Sequence, residues 1–107
     1  MQVNEIQQRF RRIERTIQQA NQACRSDTSA PQELRDCVQQ LNRQSQQVKQ
    51  VLQSEDTHRI RQCVDDLELL GDRAQRACER ADDLNDTIRT AVDQVHNELS
   101  TLKHQLH

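Results

Sequence analysis

Apolar side chains fall at Val3, Ile6, Phe10, Ile13, Ile17, Ala20 and Cys24, alternately three and four positions apart. Only an α-helix brings such positions onto one line, and a line this narrow is best covered by another helix. The same beat runs through Leu34, Cys37, Val38, Leu41, Val48, Val51 and Leu52, with Ser45 polar in mid-stripe. From Ile60 it continues through Val64, Leu67, Leu70, Ala74 and Cys78 to Leu84, Ile88, Val92, Val95, Leu99, Leu102 and Leu106.

Polar clusters interrupt this pattern. Ser26-Asp27-Thr28-Ser29 ends the first helix, because short polar side chains compete for backbone hydrogen bonds. Ser29 is placed to cap the next helix, with Pro31 in a first turn where its missing N–H costs nothing. Ser54-Glu55-Asp56-Thr57 marks a second break, with Asp56 or Thr57 as the cap. From Ile60 onward the phase allows one helix of nearly 50 residues; two sites could interrupt it, Gly71-Asp72 and Asp82–Thr87, where Asp83 would cap with Asp86 three residues on.

A repeat bears on that choice. Leu34-Arg35-Asp36-Cys37-Val38 recurs as Ile60-Arg61-Gln62-Cys63-Val64 and again as Ile88-Arg89-Thr90-Ala91-Val92. Residues 1–53 laid on 55–107 without a gap match Ile6 with Ile60, Ala20 with Ala74, Cys24 with Cys78 and Arg35 with Arg89. Such halves would each be a helical hairpin. The chain is therefore predicted to be all-α, a single domain over residues 1–107 folded as an antiparallel four-helix bundle. The helices are expected near 2–25, 31–53, 57–80 and 84–106. The alternative is a three-helix arrangement whose long last helix overhangs the first hairpin and dimerises to cover Leu99, Leu102 and Leu106.

Composition supports the class and narrows the function. Of 107 residues 33% are hydrophobic and 30% charged, with one Gly, one Pro and no Trp or Tyr, which leaves little to build a sheet. Narrow stripes predict a thin core, completed by oligomerising, with Ile13, Ile17, Leu41, Leu67, Ile88 and Val95 at the centre of core or interface. The formal net charge is −2, and its 15 basic and 17 acidic residues are interspersed. Arg9, Arg11, Arg12 and Arg15 form one local basic patch flanked by Glu5 and Glu14, so no nucleic-acid partner is expected. No apolar run approaches the ~20 residues that span a bilayer. If Met1 is the native start, the absence of a secretory signal implies a cytoplasmic protein with reduced thiols.

Candidate chemistry is sparse. Cys24, Cys37, Cys63 and Cys78 lie on or beside the stripes, where a free cysteine serves as a small hydrophobe. A thiol-dependent metal or redox site built on Cys24, Cys37 and Cys78 is the alternative reading, and a Cys24–Cys37 disulfide is geometrically marginal. His104 and His107 have a spacing that could hold a metal, and Glu55-Asp56-Thr57-His58 contains a single Glu-x-x-His. Ala74, Ala77, Ala81 and Ala91 allow close helix approach or, alternatively, a ligand cavity. Gln18, Gln19, Gln22, Gln39, Gln40, Gln46 and Gln47 offer an uncharged surface to a partner helix. The expectation is a non-enzymatic bundle without a cofactor, metal or catalytic residue, working by contact with a protein partner or with itself.

Overall fold

The computed structural model describes residues 2–107 and consists of four helices: α1 (Val3–Ser26), α2 (Gln32–Ser54), α3 (Thr57–Arg80) and α4 (Asp86–Leu106). Each follows from its apolar stripe. Every stripe residue of α1 from Ile6 to Cys24 is buried together with Thr16 and Asn21, while Gln8, Arg11, Arg12, Arg15, Gln18, Gln19 and Gln22 face water. At 1.5 Å per residue a helix of 24 residues is about 36 Å long, which accounts for the 41 × 21 × 18 Å body. Each helix touches its two neighbours, α1 on α2, α2 on α3, α3 on α4 and α4 on α1. The ring is closed, with α1 diagonal to α3 and α2 diagonal to α4. Short connections make successive helices antiparallel, so the diagonal pairs run parallel.

The break that ends α3 lies in residues 81–85, and Gly71 sits inside the helix. A Cβ there would stand 3.4 Å from Leu99 Cδ1 and 3.7 Å from His96 Cα, so α4 packs directly over Gly71. The long overhanging helix does not form, and Leu99, Leu102 and Leu106 are buried within the chain. Oligomerisation is therefore not needed to close the seams. Ile13, Ile17, Leu41, Leu67, Ile88 and Val95 are all buried in this core, which leaves none of them free to meet a partner. Among the described residues Leu69 alone is a large hydrophobic side chain left exposed.

Two caps differ from the sequence reading. Ser29 does not cap α2: its backbone N–H and hydroxyl both bind Asp27 Oδ1, closing a turn before Pro31 takes the N-cap position. Asp83 does not cap α4 either; Asn85 does, accepting from Thr87 N at 2.7 Å. Asp56 caps α3 as expected, accepting from His58 N and Arg59 N.

The two hairpins repeat each other. Val3–Ser26 and Thr57–Arg80 are offset by 54 residues at both ends, as are the starts of α2 and α4. The match extends to the arginine at each loop. Arg35 donates to the carbonyls of Ala30 and Asp27, and Arg89 donates to those of Cys78 and Ala81. Asp27 and Ala81 are the C-cap residues of α1 and α3. A guanidinium from the following helix thus binds carbonyls of the helix end and its loop, two of which also accept a backbone N–H, and places a positive charge at the negative pole of the preceding helix.

Candidate interaction surface

The cysteines behave as apolar side chains. All four are free; Cys24, Cys37 and Cys78 are buried and Cys63 is half-buried. Burial pushes every thiol above its ordinary range, and Cys78, also raised by Asp93 against the opposing pull of Arg89, is pushed up to about 11. The long axis of the body, 41 Å, barely exceeds the length of one 24-residue helix, so α1 and α3 stand nearly level. A raised thiol is a poor nucleophile and a poor metal ligand at neutral pH, which counts against the thiol reading. Cys24, Cys37 and Cys78 do not converge on one point: among the described residues no three His, Cys, Asp or Glu side chains are grouped to hold a metal.

The histidines are also scattered. His107 Nε2 lies 3.0 Å from Asp65 Oδ1, His96 Nε2 lies 3.6 Å from Asp72 Oδ1, and His58 and His104 are exposed. Glu55 and His58 do not form a paired site: Glu55 occupies the C-cap of α2 with φ 58°, and its N–H returns to Leu52 O. The alanines pack. Ala74, Ala77 and Ala91 are buried in the core and Ala81 packs half-buried against it; Ala91 also borders a groove with Thr87, Thr90 and Gln19.

What remains is surface. Gln18, Gln19, Gln22, Gln39, Gln40, Gln46 and Gln47 are all exposed, joined on α2 by Gln32 and Gln50. Along the outward face of α2 these amides are interrupted mainly by Asp36 and Arg43, and Asp36 is itself held by Gln32 Nε2 at 2.8 Å. Periodicity shows which residues avoid the core, so this face was readable in the sequence.

A second feature was not readable without the ring. α1 and α4 flank a groove of about 500 Å³ lined by Arg9, Arg12, Asn97, Glu98 and Thr101. Arg9 reaches across its end to Gln105, and the Thr16 hydroxyl donates to Arg12 O at 3.0 Å with Glu98 Oε2 at 3.2 Å as its other acceptor. Residues from the two ends of the chain meet there only because α4 returns to α1. On the far side, Lys49 of α2 pairs with the largely buried Glu14 at 3.0 Å. Arg11, Arg12 and Arg15 stay exposed and make none of these links across helices, although Arg12 lines the α1–α4 groove and Arg11 lines another between α1 and α2 with Glu14 and Lys49.

The fold and surface define a closed, all-α bundle with a sealed apolar interior and a polar exterior, and no helix of the described chain is long and apolar enough to cross a membrane. Comparison with protein-family models, with curated proteins and with solved structures gives no match for this chain.

Proposed function

We propose that the protein is a non-enzymatic helical bundle that works by protein–protein contact, as an adaptor, a small chaperone or a self-assembling module. The observation that carries this reading is the amide-rich outward face of α2, where Gln32, Gln39, Gln40, Gln46, Gln47 and Gln50 are all exposed. Covering an uncharged amide costs less than covering an ammonium or carboxylate, and the cores of protein interfaces are depleted in charge. Glutamine also favours the helix, so the face is stiff before a partner arrives. The four free thiols suit a reducing cytoplasm, where buried cysteines stay unpaired.

Photo-crosslinking tests the reading. A photoreactive side chain placed at Gln40 or Gln47 of α2 is compared in the native cell with one at Gln94 or Thr101, the matching positions of α4. Adducts of discrete mass are expected from the α2 positions and few from α4. If no outward position on either helix yields an adduct, the contact reading is lost.

A further inference from the structure

The pairing of the two hairpins exposes a reversal of charge. Residues 54 apart occupy matching places on α1 and α3, as the helix bounds and the length of the body show. At the centre of the outward face of α1 stand Arg11, Arg12 and Arg15; the matching residues on α3 are Asp65, Asp66 and Leu69. All three arginines are exposed, as are Asp66 and Leu69, and Asp65 is half-buried with His107 Nε2 at 3.0 Å. Since α1 and α3 are diagonal, the arginine patch and the Asp65/Asp66 pair point away from each other, on opposite sides of one molecule; Arg73 and Arg76, also exposed on α3, stand further towards its C-terminal end, at the places that match Gln19 and Gln22 of α1.

We propose that a second copy of this chain docks its α3 face on the α1 face of the first. A simple sideways shift of the bundle achieves this, because α1 and α3 run parallel and level. The shift brings Arg11 opposite Asp66, Arg12 opposite Asp65, and the aliphatic stem of Arg15 over Leu69, the one large hydrophobic exposed among the described residues. A contact between two different faces does not close on itself, so the same shift repeats and copies line up in a row. Exposed ion pairs are individually weak and salt-screened, so the association is weak and disappears at high ionic strength. This goes beyond the reading of α2 above and stands or falls apart from it.

Sedimentation velocity at about pH 8, where an unperturbed histidine is neutral, provides the test. The wild-type chain is expected to sediment faster with rising concentration at about 0.01 M salt, and as a monomer at about 1 M, where the screening length falls from about 30 Å to about 3 Å. Arg11→Asp/Arg12→Asp makes both faces acidic, and Asp65→Arg/Asp66→Arg makes both basic. Each double variant alone is expected to stay monomeric. An equimolar mixture of the two recovers the fast-sedimenting species, because each supplies the charge that the other lacks. Circular dichroism of each variant keeps folding separate from association. The proposal is overturned if the wild type stays monomeric at millimolar protein and low salt, or if either variant alone associates as the wild type does. It is equally overturned if the mixture does not.

Discussion

The hairpins α1–α2 and α3–α4 share a backbone plan and differ in what they hang on it. Both place an arginine over the preceding helix end, at Arg35 and Arg89, and both bury a cysteine near that end, at Cys24 and Cys78. Inside, they solve one packing problem in two ways. The first hairpin buries Ile17 and Ser45; at the matching places the second buries Gly71 and Leu99, with bulk and gap exchanged between the helices. The polar residues buried in the core (Thr16, Asn21 and Ser45) all belong to the first hairpin, and the Ser45 hydroxyl is satisfied by Asn42 O at 2.7 Å. Outside, the contrast is sharper. Residues 1–53 hold fourteen glutamines with eight basic and five acidic residues, whereas residues 54–107 hold four glutamines with seven basic and twelve acidic residues. Packing constrains the interior of both hairpins to one volume, and nothing comparable constrains the exterior.

The largest test of that comparison is to impose one interior on the other. Leu99→Ser should cost about 3–5 kcal/mol through the cavity it leaves. Gly71→Ile should cost about 1–3 kcal/mol by overpacking against Leu99. The double variant, which recreates the Ile17/Ser45 arrangement in the second hairpin, should recover at least half of the summed loss in urea melts. Additive losses would show that the hairpins do not share a packing scheme.

Arg35→Ala and Arg89→Ala test the shared loop device. Each removes two hydrogen bonds from a guanidinium to the carbonyls of a loop and a helix end, of which one carbonyl in each pair keeps a backbone N–H, and each should cost about 1.5–3 kcal/mol by thermal or urea denaturation. Equal losses would mark the two latches as equivalent. A much smaller loss for Arg35 would show that the Asp27–Ser29 turn holds its loop unaided.

Alkaline pH separates the buried thiols from the rest. The folded chain holds the Cys78 proton more tightly than the unfolded chain, up to about 11 against an ordinary value of 9.0, chiefly because the thiol is buried. Unfolding therefore releases that proton once pH exceeds 9, so this contribution is intact below pH 9 and is lost as pH rises towards 11. The loss is on the order of 2 kcal/mol, and Cys78→Ala should flatten that part of the stability profile. Glu55→Gly is the smallest change. It removes the left-handed strain at φ 58° in the two-residue link between hairpins and should stabilise by about 0.5–1 kcal/mol, read as a raised melting temperature.

Much of the fold was legible because one periodicity governs all four helices. Ile13, Ile17, Leu41, Leu67, Ile88 and Val95 had only to fall on the beat to be placed in the core. The caps at Ser29 and Asp83 were misread for a local reason. In Asp27–Ser29 and Asp82–Asn85 several short polar side chains could each accept a backbone N–H, and sequence does not rank them. Glycine at 71 resembled a helix end, yet what it provides is room for Leu99, a neighbour 28 positions away. The outward amides of α2 were visible in the sequence. The opposition of Arg11 and Arg12 to Asp65 and Asp66 was not, since it acquires meaning only once α1 and α3 are known to lie back to back.

Closing every seam inside one chain has a thermodynamic consequence. Unfolding is then unimolecular, so at salt high enough to keep chains apart the melting midpoint stays fixed on dilution. Folding and gathering into rows thus answer to separate controls, the first to temperature and denaturant, the second to how many molecules share the solution and how many small ions surround them.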